Sequence, residues 1–184
     1  MAANVEIKAR VADLGALRAR AAALADGPPE RLEQRDTFFV VPAGRLKLRE
    51  FGDGTAELIQ YERRDADGPK LSRYRRLDVP DPAGMRAALT DALGRRAVVA
   101  KTREVFLSGR TRIHLDKVAG LGGFMELEVV LAEGEDAAAG EAEARDLMAQ
   151  LGIAPADLVT GAYVDLLEAA GNPARAPVAG PAPG

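Results

Sequence analysis

Hydrophobic and polar residues alternate along several short stretches of this chain, as side chains do along a β-strand. The stretch "GRLKLRE" shows the alternation most clearly, because Arg45, Lys47 and Arg49 fall on one side while Leu46 and Leu48 fall on the other. The same period predicts strands at 5–10, 34–41, 45–51, 55–64, 71–79, 97–107, 111–118 and 124–131.

Other segments space their apolar residues as an amphipathic helix does. The first begins at the capping residue Asp13 and ends before Gly27–Pro28–Pro29. Further helices are predicted at 83–93, after the acidic run that begins at Glu133, and at about 163–170. The strands are joined mainly by short turns, which implies antiparallel pairing, and eight antiparallel strands can close into a barrel.

The polar faces of these strands carry an unusual number of charges. One interpretation is a solvated strand surface on which charge prevents edge pairing. The alternative follows from the helices, whose apolar stripes need the apolar faces of the strands, so that the charged faces line the barrel interior. Buried charges are costly unless they are paired or occupied by a ligand. Such an interior suits a polyanion, bound by Lys and Arg, together with a divalent cation held by carboxylates.

Composition narrows the class of protein. The 184 residues are 47% hydrophobic and 29% charged, as in a soluble globular domain. We predict one domain at 1–170 and a disordered Pro/Gly/Ala-rich tail at 171–184. The net charge of −3 argues against binding to duplex nucleic acid. The sequence contains no apolar run long enough to span a membrane, so we predict no membrane partner.

The absence of Cys and of an apolar leader favours a cytoplasmic location. Without Cys, thiolate nucleophiles and Cys-ligated zinc are excluded. A single His excludes a multi-His metal site within one chain, so a metal here would be held mainly by carboxylates. This favours Mg²⁺, Mn²⁺ or Ca²⁺. A homodimer is one possible oligomeric state, and nothing in the sequence selects between it and a monomer.

Five segments in order, "VEIKAR", "GRLKLRE", "KTRE", "RIHLD" and "FMELEVV", resemble the CYTH superfamily. Its members include class IV adenylyl cyclases, thiamine triphosphatases and inorganic triphosphatases, which are also called triphosphate tunnel metalloenzymes. The resemblance covers about residues 4–168. It implies an α+β fold, an eight-stranded antiparallel β-barrel with helices packed on the outside, whose tunnel binds a triphosphate and one or two divalent metals.

The resemblance also implies roles for individual residues. The family signature Glu-x-Glu-x-Lys falls on 4–8, where Asn4 replaces the first Glu and leaves one metal or two as alternatives. The implied metal ligands, for Mg²⁺ or Mn²⁺, are Glu6, Asp116, Glu126 and Glu128. The implied triphosphate-binding residues are Lys8, Lys47, Arg49, Arg63, Lys101, Arg103 and Arg112. Of all these, Glu6, Lys8 and Arg49 are the predicted catalytic residues.

Three more residues have two interpretations each. His114 is either a hydrogen-bonded structural residue or a general base, and Tyr163 either packs or reaches the site with its hydroxyl. Arg45 shares the phosphate-facing side of its strand but lies beside the turn at Gly44, so both phosphate and solvent are open for it, and we expect Lys47 and Arg49 to make most of the phosphate contact.

The predicted function is that of a divalent-metal-dependent enzyme acting on a triphosphate such as tripolyphosphate or ATP. We favour hydrolysis, because it requires only that the triphosphate group is bound. An adenylate cyclase, which converts ATP to cyclic AMP and pyrophosphate, also needs an adenine pocket and a placed 3′-hydroxyl. A non-catalytic module that binds polyphosphate or a nucleotide is a third alternative.

Overall fold

The computed structural model of the chain describes residues 2–63 and 68–171. For Ala2 and Arg63 the description is limited to the backbone. The side chain of Arg63, which was predicted to bind phosphate, and the tail at 172–184 lie outside the described residues. Those two assignments, and the limits of the single domain, stay predictions.

Eight strands form a closed barrel in the order β1-β5-β4-β3-β2-β6-β7-β8, and every neighbouring pair is antiparallel. This confirms the predicted α+β barrel. The strands are β1 (Ala2–Arg10), β2 (Glu30–Phe39), β3 (Arg45–Phe51), β4 (Ala56–Arg63), β5 (Lys70–Asp78), β6 (Arg95–Ser108), β7 (Thr111–Val118) and β8 (Gly122–Val130).

Four helices accompany the barrel: α1 (Leu14–Leu24), α2 (Pro82–Leu93), α3 (Ala137–Gln150) and α4 (Tyr163–Ala169). The side chain of Asp13 accepts a hydrogen bond from the backbone N–H of Ala16 at 3.0 Å, so it caps α1 as predicted. Asp81 and Asp136 cap α2 and α3 in the same way. In the part of the chain that is described, no helix is both long and apolar enough to cross a membrane.

The first three helices pack on the outside of the barrel. The apolar faces of β1, β7 and β8 are buried together with Leu17 of α1 and Leu147 of α3. Leu48 of β3 is buried in a second cluster, against which Leu89 of α2 packs. Because successive strand residues point to opposite sides, the charged positions next to these apolar residues point inward. The interpretation of a solvated charged face is therefore wrong.

The fourth helix lies differently. Its residues Tyr163, Val164 and Leu167 are buried with Phe38 and Val99, which have the inward-facing parity of β2 and β6. Helix α4 therefore closes one end of the barrel, rather than covering its outer surface. The opposite end of the barrel, where the strand residues lie farthest from α4, is called the mouth.

Candidate functional site

A cavity of about 340 Å³ occupies the interior of the barrel. All eight strands contribute inward-facing residues to its wall, and Ala162 and Tyr163 line it from the closed end. The cations on the wall are Lys8, Lys47, Arg49, Arg76, Lys101, Arg103 and Arg112. The carboxylates on the wall are Glu6, Glu30, Asp36, Glu57, Glu126 and Glu128.

The structure brings most of the residues predicted from sequence into this one cavity. Those that line it are Glu6, Lys8, Lys47, Arg49, Lys101, Arg103, Arg112, Glu126 and Glu128. Asp116 is not on the wall, and the Arg63 side chain is outside the described residues. Their placement together supports a common site, while their individual roles remain to be tested.

Asp116 has the inward-facing parity of β7 and is fully buried beneath side chains that line the cavity. Its carboxylate accepts hydrogen bonds from Arg103 Nε at 2.7 Å and from the Tyr163 hydroxyl at 2.8 Å, and Lys101 Nζ lies 3.4 Å away. Burial alone would raise the pKa of Asp116, but the charges of Arg103 and Lys101 outweigh it and lower the pKa. Its carboxylate orients Arg103 in the ligand-free protein, and the metal-ligand role of Asp116 stays a prediction.

Asp36 was missed by the sequence analysis. This β2 residue is only 2% exposed, and its carboxylate accepts from Lys47 Nζ at 2.8 Å and from Arg49 Nε and Nη2 at 2.7 Å each. Burial raises its pKa, but the opposing effect of Arg49 and Lys47 is larger and holds the pKa far below its usual range. Strict alternation through Gln34, Asp36 and Phe38 was the signal that could have identified it.

The pair Glu126 and Glu128 lies on β8 across the cavity from these cations. Glu126 pairs with Lys8 at 3.0 Å and with Arg103, whereas Glu128 has the more distant Arg112 at 3.5 Å. Against the effect of burial, Lys8 and Arg103 hold the pKa of Glu126 well below its usual range, so this carboxylate is ionised at neutral pH.

His114 completes a cluster with these two carboxylates. One ligand atom from each of the three residues lies within 4.8 Å of the others. Two ionised carboxylates and an imidazole are a donor set that divalent cations accept. The residues present therefore fit the cation that the sequence resemblance implies.

Tyr163 packs, which is one of the two roles considered for it, while its hydroxyl bonds to a buried carboxylate. Its ring packs edge-on against Phe124 and lies 4.0 Å from Lys8 Nζ and 5.0 Å from Lys101 Nζ. Its hydroxyl donates to Asp116. The start of α4 therefore supports three cationic side chains at the closed end of the cavity.

Arg45, for which solvent and phosphate were both open, contacts helix α4. Its side chain is 13% exposed and pairs with Asp165 of α4 at 2.9 Å. Arg96 of β6 binds the same carboxylate at 2.7 Å and also pairs with Glu168. The two arginines hold α4 against the end of the barrel.

We expect the stability of the ligand-free protein to rise between pH 7 and pH 9 because of Lys101. Burial, followed by the charge of Arg103, lowers the pKa of Lys101 to about 7, whereas an unfolded lysine titrates near 10.4. Between these values the unfolded state binds more protons, so the free energy of unfolding increases with pH. Urea denaturation at pH 7, 8 and 9 measures this slope.

The substitution Lys101→Met should flatten that slope. Lys117→Met, at an exposed position of β7, should leave it unchanged. If the Lys101→Met protein keeps the slope of the wild type, then Lys101 does not titrate in this range.

Comparison with known proteins agrees with this geometry. The sequence model of the CYTH domain matches residues 2–163, nearly all of the described chain. The chain belongs to the CYTH domain family. The CYTH chain is also 27% identical over 176 residues to adenylate cyclase CyaB of Aeromonas hydrophila, an alignment that covers 90% of this chain and 88% of that protein.

Solved structures share the fold of this CYTH chain. The PH1012 protein of Pyrococcus horikoshii superposes with a TM-score of 0.80 at 22% identity, covering 89% of this chain and 98% of that one. The protein HpAC1 of Hippeastrum, described as having a dominant triphosphatase activity, superposes with a TM-score of 0.59 at 15% identity. That match covers 82% of this chain and 88% of HpAC1. Proteins similar to this chain in sequence or in fold thus include one named as an adenylate cyclase and one described as having a dominant triphosphatase activity.

Proposed function

We propose that this CYTH protein is a divalent-metal-dependent triphosphatase that hydrolyses tripolyphosphate or an organic triphosphate. The observation that carries the proposal is the convergence of Lys47, Arg49, Lys101 and Arg103 in one closed-ended cavity that also contains Glu126 and Glu128. Phosphoryl transfer requires mainly positioning and neutralisation of charge, and this cavity supplies both. The triphosphatase activity described for HpAC1 adds support.

The buried carboxylates prepare the cationic side chains for phosphate. Asp36 binds Arg49 through two nitrogens and fixes its plane, and Asp116 does the same for Arg103. Each guanidinium carries five N–H donors, so donors remain for phosphate oxygens after these contacts. Because the arginines are oriented before the ligand arrives, little of the binding energy is spent on ordering them.

The candidate metal-binding residues lie across the cavity from Arg49 and next to Arg103, which pairs with Glu126. Glu126, Glu128 and His114 would hold the cation, which when bound neutralises phosphate oxygens and polarises the phosphoryl group. Lys8 orients Glu126 through their 3.0 Å ion pair, and Lys8 itself is anchored by the carbonyl oxygen of Gly161 at 3.2 Å. With a terminal phosphate held between the two sides, attack by water gives phosphate and a diphosphate.

Adenylate cyclase activity is the second candidate, and an apolar wall near the mouth favours it. Leu32, Phe51 and Val105 lie on the neighbouring strands β2, β3 and β6, and all three line the cavity. They offer a surface on which an adenine ring could stack, which the sequence alone did not show. The name of the Aeromonas relative also points to this reaction.

A product assay distinguishes the candidates. Purified protein is incubated with tripolyphosphate or ATP, with Mg²⁺ or Mn²⁺, and the products are scored for phosphate, pyrophosphate and cyclic AMP. We expect phosphate from tripolyphosphate, with little from an Arg103→Ala variant and normal release from Arg18→Ala on the outer helix α1. Cyclic AMP from ATP would support the cyclase instead, and binding without turnover would support a non-catalytic module.

A further inference from the structure

We infer that His114 is a direct ligand of the bound cation, so that this chain has a mixed nitrogen and oxygen site that prefers Mn²⁺ to Mg²⁺. The inference deepens the proposed function, because it assumes only that a cation binds at Glu126 and Glu128. It concerns the identity of the metal, which neither the fold nor the comparisons determine.

His114 is placed for this role by strand register. It lies on β7 directly opposite Glu126 of β8, and Glu128 is two residues further along the same inward face. Directly opposed residues of an antiparallel pair have Cβ atoms about 5 Å apart. The imidazole and both carboxylates therefore enter the cavity from adjacent positions on two rigid strands.

The environment of the imidazole supports a ligand role over a structural one. His114 is 3% exposed, and its Nδ1 is buried without a hydrogen-bond partner among the described residues. A buried polar atom without a partner is costly, and such an atom in a native protein calls for an explanation. In a histidine with a purely structural role, we would expect this nitrogen to form a hydrogen bond with a neighbouring group.

The distances around Nδ1 suit a shared ion better than a hydrogen bond. Nδ1 lies 3.7 Å from Glu128 Oε1 and 3.9 Å from Glu126 Oε2. Both separations exceed the range of about 2.7–3.2 Å for a good hydrogen bond. Two ligands that each lie about 2.1 Å from one ion are separated by roughly 3.0–4.2 Å, depending on the angle between them.

The rest of the site explains why a third ligand matters here. Glu126 already shares its charge with Lys8 and Arg103, so the cation competes with both for that carboxylate. Asn4 also lines the cavity, and an acidic residue at this position would have supplied a third carboxylate. The Oδ1 atom of Asn4 has no hydrogen-bond partner among the described residues, but it is a neutral oxygen and therefore a weaker ligand. Mg²⁺ prefers oxygen ligands and rarely uses imidazole, whereas Mn²⁺ accepts an imidazole nitrogen together with carboxylate oxygens.

Electron paramagnetic resonance of bound Mn²⁺ tests the inference directly. The ligand-free protein is titrated with Mn²⁺, and the bound fraction is measured from the loss of the free Mn²⁺ signal. Electron spin-echo modulation then reports whether a histidine ¹⁴N is bonded to the ion. We expect histidine modulation in the wild type, and its loss in His114→Gln with Mn²⁺ affinity lowered about tenfold or more. Competition with Mg²⁺ should show a smaller preference for Mn²⁺ in this variant.

Control variants keep the outcome interpretable. Glu104→Gln, on the outer face of β6, should bind Mn²⁺ with normal affinity and keep the ¹⁴N modulation. Circular dichroism of each variant shows whether the barrel is folded. Bound Mn²⁺ that lacks histidine modulation in the wild type would overturn the inference, as would failure of the folded wild type to bind Mn²⁺.

These results are separable from the proposed function, because neither readout depends on turnover. Histidine modulation without release of phosphate would leave the inference standing and refute the triphosphatase. Phosphate release with equal rates in Mg²⁺ and Mn²⁺, and no histidine modulation, would leave the triphosphatase and refute the role of His114.

Discussion

Replacing Glu128 by Gln is expected to lower metal-dependent phosphate release by about 100-fold or more, with little loss of stability. Gln keeps the shape of the side chain but removes the charge that attracts the cation. Among the described residues, Glu128 makes one ion pair with a permanently charged side chain, the 3.5 Å contact with the partly exposed Arg112, so the fold depends little on it. Steady-state phosphate release at saturating Mn²⁺ measures the effect.

Glu126→Gln should lose as much activity and more stability. Its carboxylate also neutralises Lys8 and Arg103. In the variant, Lys8 would still donate to the Gly161 carbonyl oxygen, and Arg103 would still pair with Asp116. Glu104→Gln, which alters only a pair with Arg18 on the outside of the barrel, is the matched control and should have normal rates. Near-normal phosphate release by Glu126→Gln or by Glu128→Gln would show that the substituted carboxylate is not needed for the reaction.

Replacing Asp36 by Asn should destabilise the ligand-free protein by about 3–5 kcal/mol, because Lys47 and Arg49 would be left as buried charges without compensation. Tripolyphosphate supplies the missing negative charge and binds only the folded protein. The ligand should therefore raise Tm by more in Asp36→Asn than in the wild type. Thermal denaturation with and without tripolyphosphate, at matched ionic strength, gives both values.

Asp91→Asn, at an exposed position of α2, is the control and should respond to tripolyphosphate as the wild type does. Two results would count against this account of Asp36. One is a Tm of the ligand-free Asp36→Asn protein close to that of the wild type. The other is a Tm shift with tripolyphosphate no larger than in the wild type.

The barrel and most of its lining could be predicted from sequence because the period of a strand assigns each residue to a face. Once Leu48 and Leu115 were expected under helices, their neighbours Lys47, Arg49 and His114 had to point inward. The boundaries of β3 and β7 were predicted without error, since turns flank both. Strand β2 begins at Glu30, four residues before its predicted start, because its first residues are mostly polar.

Contacts between distant segments could not be predicted in this way. Pairs within one hairpin were missed as well, because the pattern does not give strand register: Asp36 lies directly opposite Arg49 on β2 and β3, and Asp116 lies opposite Arg103 on β6 and β7. The contact of Arg45 with Asp165 joins residues 120 positions apart, and nothing local indicates it. For the same reason the sequence predicted α4 as a helix but did not indicate that it closes one end of the barrel.

Closure of one end by α4 restricts how a ligand can move. A molecule in the cavity enters and leaves by the mouth, so a phosphate chain is admitted end first and is held by its terminus. An organic group on the other end of that chain would remain among Leu32, Phe51 and Val105 near the mouth. If the protein has the proposed activity, we therefore expect it to act on the ends of phosphate chains and not to pass a polymer through its barrel.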